Sequence, residues 1–291
     1  MGRTQIIAGL IAAAFLCCCS SPHRLTVGSK NFSEQLILGE ILAQHLERRL
    51  NQKIERKLNL GGTLLAQQAL ASGQIDLYPE YTGTALMAVL KFPPSSDPAT
   101  VLTRVREEYQ KRWKLEWLAP LGFNNSFAMV VRGADARKNG LETISDATRS
   151  QTGWVLGVGY EFITREDGLA GLLKTYHLRL QGAPKTMDLG LLYKALEQKQ
   201  VDMIAASATD GVLSVLDVKV LQDDKHYFPP YEAAPVVRSD ALAAHPGMRE
   251  ALSELGGKLP NNTMQKLNYE MDGKHRPVAA IAREFLEANF H

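Results

Sequence analysis

The chain has three cysteines in 291 residues, all in the single run Cys17-Cys18-Cys19, so nothing after residue 19 can form a disulfide or act as a thiol nucleophile. Gly-x-Ser-x-Gly is absent, which removes the usual serine nucleophile elbow. The seven histidines are scattered, with no His-x-x-x-His or other metal-like pair, and no metal site is expected. Gly157-Val158-Gly159 begins a dinucleotide fingerprint but lacks its third glycine, so no cofactor is expected either. Adjacent carboxylates such as Glu107-Glu108 and Asp223-Asp224 read as solvated surface. No charge predominates: 33 Lys and Arg against 31 Asp and Glu give a net +2, too weak a field to argue for nucleic acid or an anionic membrane. No apolar run reaches transmembrane length.

The one apolar run, Ile6 to Leu16, follows Arg3 and has the charged-then-apolar profile of a secretory signal. Leu16 stands three positions before Cys19, as in a bacterial lipobox, with Cys18 as the alternative lipidation site. Residues 1–18 are expected to leave as a lipoprotein signal peptide, with Cys19 carrying lipid at the new N-terminus. The product is then an exported, lipid-anchored protein, periplasmic or at the cell surface. About 270 residues remain, enough for one large domain or two ordinary ones.

Leu25-Thr26-Val27 reads as a strand, and Ser33 as the cap of a helix whose apolar face holds Leu36, Ile37, Ile41, Leu42, Leu46 and Leu50. A strand over Ile54–Leu60, a helix from Thr63 to a left-handed stop near Gly73, and a strand from Ile75 that ends at Pro79 follow. This β-α-β rhythm predicts a parallel sheet with covering helices. A second series has strands near Val155–Val158, Leu178–Leu180 and Val201–Ala205, with helices near Asp167–Thr175 and Asp188–Gln198. Ala234–Val237 then returns as a strand, before helices over 242–255, 263–271 and 278–288. The class is α/β, with two lobes, 25–124 plus 235–291 and 125–234, joined by two crossing segments. A cleft between such lobes commonly closes on a ligand.

Tyr81, Phe127, Tyr160 and Tyr231 fall at strand ends or crossings rather than on amphipathic faces. Rings converging on a cleft suit a quaternary ammonium, which ring faces attract. Arg165 and Lys30 would suit a carboxylate.

The mature chain resembles the substrate-binding proteins of ABC importers for glycine betaine, choline and carnitine. The matching blocks include Gly28-Ser29-Lys30-Asn31-Phe32-Ser33-Glu34-Gln35, Glu80-Tyr81-Thr82-Gly83-Thr84-Ala85, Phe123-Asn124-Asn125, Ala208-Thr209-Asp210-Gly211 and Phe228-Pro229-Pro230-Tyr231. The resemblance implies a two-lobed periplasmic-binding-protein fold, type II-like, with an interlobe ligand cleft. It implies no catalysis, and partners limited to a small quaternary amine, an ABC permease with its ATPase, and the membrane through the lipid. The protein would act as a monomer and bind no nucleic acid. Tyr81, Phe127 and Tyr231 would form the cage, with Lys30, Thr84 and Arg165 at the anionic end. Ser207 replaces a ring that relatives carry before Ala-Thr-Asp-Gly, with Tyr160 as a compensating neighbour. Ile163 stands where many relatives have an aromatic. Glycine betaine or a related betaine is the expected ligand, with carnitine, ergothioneine or choline as alternatives and an enzyme on the same scaffold as a remote one.

Overall fold

Ten strands form two five-stranded sheets in the computed structural model, which describes residues 24–165 and 167–290. The signal segment and the lipidation candidates Cys18 and Cys19 lie outside the described residues. The first sheet contains β1 (Thr26–Gly28), β2 (Glu55–Lys57), β3 (Leu77–Tyr81), β4 (Leu115–Trp117) and β10 (Ala233–Arg238), in the order β2-β1-β3-β10-β4. The second contains β5 (Phe127–Arg132), β6 (Leu156–Val158), β7 (Lys185–Thr186), β8 (Met203–Ser207) and β9 (Val218–Leu221), in the order β7-β6-β8-β5-β9.

Helices α1 (Ser33–Leu50), α2 (Thr63–Ala71), α3 (Thr82–Thr84) and α4 (Pro98–Trp113) belong to the first half. Helices α5 (Gly133–Asn139), α6 (Ile144–Ala147), α7 (Tyr160–Thr164), α8 (Leu169–Tyr176) and α9 (Leu189–Glu197) belong to the second. The chain then returns through α10 (Ser239–Ala244), α11 (Met248–Glu254), α12 (Asn261–Asp272) and α13 (Val278–Asn289). Helix α12 packs on α1 and also on the 3₁₀ turn Gly211–Ser214, so it touches both halves. No helix among the described residues is long and apolar enough to cross a membrane.

Alternation along the strands explains why each sheet has two cores. Met129 and Val131 of β5 enter one apolar cluster while Ala128 and Val130 enter the cluster on the other face. Leu77 and Tyr81 of β3 face the α1 cluster, and Tyr78 faces the opposite one. On α1 the expected face is buried at Ile37, Ile41, Leu42 and Leu46.

Several local expectations are corrected. Strand β3 does not end at Pro79 but continues to Tyr81. Pro79 faces Pro235 across antiparallel β10, and Thr82 N bonds Glu232 O three residues on. Hydrogen-bonded pairs alternate in such a ladder, so the two prolines occupy a pair that needs no N–H from either. The sheets are mixed rather than parallel, because β5 and β10, the strands that follow the crossings, run antiparallel to both neighbours. Ser33 is the first helical residue rather than the cap, and its hydroxyl bonds Asp272 at 2.5 Å. Ile54–Leu60 shortens to three strand residues, and Val201–Ala205 shifts to Met203–Ser207. Leu178–Leu180 makes only an isolated bridge, Trp154 to Leu180. The expected 242–255 helix is two helices, parted at Pro246 and at Gly247, whose φ of +86° a helix cannot hold.

The two halves meet where the crossing segments run side by side. Asn124 bridges Glu232, Asn125 N donates to Tyr231 O at 3.1 Å, and Tyr231 N donates to Asn124 Oδ1 at 2.7 Å. The returning chain enters the first sheet at Ala233, two residues before 235.

Candidate functional site

A cavity of about 530 Å³ opens between the sheets, at the ends of the strands that lead into it. Lys30 follows β1, Tyr81 ends β3, Thr84 ends α3, Phe127 starts β5, Ser207 ends β8, Arg165 follows α7, and Tyr231 lies on the return crossing. All seven line this one cavity. Phe127 and Ser207 are cross-strand partners, which puts them directly side by side. Gly83 makes room for Tyr231: a Cβ there would lie 2.6 Å from Pro230 O and 2.9 Å from the Tyr231 ring.

Tyr160 is the exception. It is 65 % exposed at the start of α7 and lines an adjacent cavity rather than this one. It therefore does not replace the ring missing at Ser207. Ile163, at 40 % exposed, is also outside the cleft lining.

Lys30, expected to meet an anionic ligand group, already has a carboxylate. Its Nζ lies 2.5 Å from Glu80 Oε1 and 3.3 Å from Thr63 Oγ1, with both members of the ion pair buried. The same ammonium sits 4.6 Å from the centroid of the Tyr81 ring, within cation–π range. Phe32 stacks beside Tyr81 with centroids 6.3 Å apart.

Arg165 forks onto Asp167, with Nε–Oδ1 and Nη2–Oδ2 both 2.8 Å, and Nη2 donates to the Tyr231 hydroxyl at 2.5 Å. That hydroxyl donates in turn to Asp167. The Arg165 Cζ rests 5.2 Å from the Phe127 centroid and 5.8 Å from that of Tyr231. A cation is therefore already seated on two of the ring faces. Phe162, edge-on at 4.9 Å, braces the Phe127 ring from behind. The hydrogen bonds to Asp167 push the guanidinium pKa further up, and burial together with Asp167 pushes the Tyr231 phenol up.

Glu34 was not singled out by the sequence, yet it ties the site together. Its Oε1 accepts from the Tyr81 hydroxyl at 2.6 Å and from Asn125 Nδ2 at 2.9 Å, and its Oε2 accepts from Asn268 Nδ2 at 2.9 Å. Asn125 Oδ1 accepts from the Ser207 hydroxyl, and Asn268 also donates to Thr209 O at 2.8 Å. Glu34 thus anchors the first half to both a crossing residue and the second half. Burial raises its carboxyl above the ordinary glutamate value, although the hydrogen bonds oppose the shift. Phe32, Thr63, Asn125 and Glu161 also line the cleft without having been picked out. Phe32 and Asn125 sit inside the blocks that carry the resemblance, so position in those blocks was the available signal. Glu161 lies in a further matching block, Glu161-Phe162, and had the same signal, whereas Thr63 carried none. Among the described residues no cluster of His, Cys, Asp and Glu is placed to hold a metal ion.

The family described as the substrate-binding domain of ABC-type glycine betaine transport systems matches residues 23–288. This chain belongs to that family. It is a two-lobed substrate-binding protein of the ABC importer class, which works outside the cytoplasm and is not a family of enzymes. The carnitine transport binding protein OpuCC of Listeria monocytogenes is 33% identical over 289 residues, covering 96% of this chain and 94% of that one. The ergothioneine transport permease/ergothioneine binding protein EgtU of Helicobacter pylori is 36% identical over 264 residues. That match covers 90% of this chain but 47% of the relative, so the chain spans about half of the longer protein's length. A crystal structure of a glycine betaine/carnitine/choline ABC transporter protein superposes with a TM-score of 0.87 at 32% identity, covering 91% of this chain and 98% of that one.

Proposed function

We propose that the cleft captures a small zwitterionic quaternary amine, a betaine, and that the protein delivers it unchanged to a membrane permease. The observation that carries this reading is the Arg165 guanidinium lying across Phe127 and Tyr231 inside one interlobe cavity. Those faces hold a cation in the resting site, and each ring offers about 0.5–2 kcal/mol to an ammonium that replaces it. Arg165, once moved from the rings, meets the ligand carboxylate beside Thr84. Lys30 supports the cage from below through Glu80 and Tyr81 rather than pairing with the ligand. The lining cations Lys30 and Arg165 are each matched by a carboxylate, Glu80 and Asp167, so the cleft has no surplus positive charge to recruit a free anion. A neutral zwitterion suits that balance.

The ligands for which the relatives are named, carnitine, ergothioneine and glycine betaine, share a quaternary nitrogen with a carboxylate and support the same class. The lobes, 25–124 plus 235–291 and 125–234, would close about the paired strands at Asn124 and Glu232, with the return boundary at Ala233. The mature protein would be a monomer held to the membrane by lipid on Cys19, with Cys18 as the alternative.

Calorimetry with glycine betaine, proline betaine, carnitine, ergothioneine and choline tests the ligand class. Carboxylate-bearing quaternary amines should bind, and Arg165→Ala should weaken them far more than choline. Binding of an uncharged sugar or an ordinary amino acid with none of these amines bound would overturn the reading, as would chemical turnover of the ligand.

A further inference from the structure

A second cavity of about 390 Å³ adjoins the cleft. Phe127, Glu161, Leu189 and Ser207 line both spaces and so form the doorway between them. Ser207 leaves that doorway open: it is small, and its hydroxyl is engaged with Asn125 and lies 3.2 Å from Thr209 Oγ1. Behind the doorway the wall is largely apolar, with Phe162, Met187 and Leu192 on it, while Asp188 stands at the exposed rim. Asp210 is the least exposed carboxylate of the chamber. Its Oδ2 accepts from the Tyr193 hydroxyl at 2.9 Å and from Ser207 N at 3.2 Å, whereas its Oδ1 has no hydrogen bond among the described residues. Among the described residues no Lys or Arg lines the chamber.

We propose that the ligand is a betaine whose α-substituent passes this doorway, laying an apolar stem against Phe162, Met187 and Leu192 and ending in an N–H donor on Asp210. This rests on the quaternary-amine reading of the cleft and adds the class of side group. The apolar walls favour a substituent over the water it displaces. A carboxylate shut in beside a purely apolar end would lose solvent and gain no partner, so the chamber discriminates for a donor. Burial raises the Asp210 carboxyl above the ordinary aspartate value, which fits an acceptor awaiting a donor.

The test is calorimetry with glycine betaine, Nα-trimethylnorleucine and Nα-trimethyllysine, the last two differing only by the terminal amine. The lysine betaine should bind about tenfold or more tighter than the norleucine betaine, as expected for a charge-assisted hydrogen bond. Ser207→Tyr should block the doorway and shift the ratio of lysine-betaine to glycine-betaine affinity about tenfold toward glycine betaine. Leu189→Trp narrows the same doorway from the exposed side, so it serves if the Ser207 variant fails to fold. Asp210→Asn keeps the shape and should close most of the gap between the two larger betaines. Binding of glycine betaine with rejection of both larger betaines overturns the chamber proposal alone, as do ratios that neither doorway variant moves. Failure of all three betaines to bind overturns both this proposal and the reading of the cleft.

Discussion

Replacing Lys30 by Met should damage the fold before it damages ligand selectivity. Lys30 and Glu80 are 3% and 0% exposed, with Nζ and Oε1 2.5 Å apart. Without the ammonium, Glu80 keeps only the Tyr81 N–H at 2.6 Å and the Tyr78 hydroxyl at 3.1 Å, both neutral donors. Breaking a buried pair by removing one partner costs about 3–5 kcal/mol, because the remaining charge is left desolvated. For a protein of this size that corresponds to roughly 6–20 °C in Tm. Urea unfolding followed by circular dichroism measures the deficit against wild type. Adding Glu80→Gln removes the buried charge while keeping an acceptor, and should recover most of the loss. A deficit below about 1 kcal/mol, the worth of an exposed pair, would refute the argument. So would a double variant no more stable than Lys30→Met. If Lys30 served chiefly to bind the ligand, ligand-free stability would barely change and the ligand-induced shift in Tm would vanish.

Tyr231→Phe keeps the ring but removes the hydroxyl between Arg165 and Asp167. Glycine betaine affinity should fall by roughly tenfold, as for a hydrogen bond to a charged group, with a smaller change for choline, measured by calorimetry. Glu34→Gln should flatten the pH dependence of stability. The raised Glu34 carboxyl makes the native state bind a proton that the unfolded chain has released, so wild-type stability declines as pH rises from the unfolded glutamate value through the native one. Urea unfolding from pH 4.5 to pH 8 checks the slope, and an unchanged slope would show that Glu34 does not cause it. Cys19→Ser should move the protein from the detergent phase to the aqueous phase on Triton X-114 partitioning, whereas a shift produced by Cys18→Ser alone would assign the lipid to Cys18.

Local chemistry in the sequence was enough for the α/β class, most helices and the group of residues that meet. The apolar period of α1 and the ring and hydroxyl of Tyr81-Thr82-Gly83-Thr84 at a strand end are properties of short segments, readable without a partner. The Pro79 error came from the same locality: a proline stops a ladder only where its N–H is needed, and that depends on Pro235, more than 150 residues away. The roles within the site were hidden for the same reason. Sequence presented Lys30 and Arg165 as two cations for a ligand, but Glu80 and Asp167 claim them, and Arg165 rests on the rings it was expected to stand beside. Ser207 was legible as a missing ring and as the room that its loss leaves for a bulkier ligand. The structure adds the doorway beside it, since a cavity belongs to no single segment and exists only once β5, β8, α7 and α9 have packed. Sequence by itself determined most of the residues that gather at the cleft, because strand ends are local, although it added Tyr160 and passed over Phe32, Thr63, Asn125 and Glu161. Tertiary structure decided what each of them touches, because charge pairing, ring stacking and empty volume arise between segments far apart in the chain.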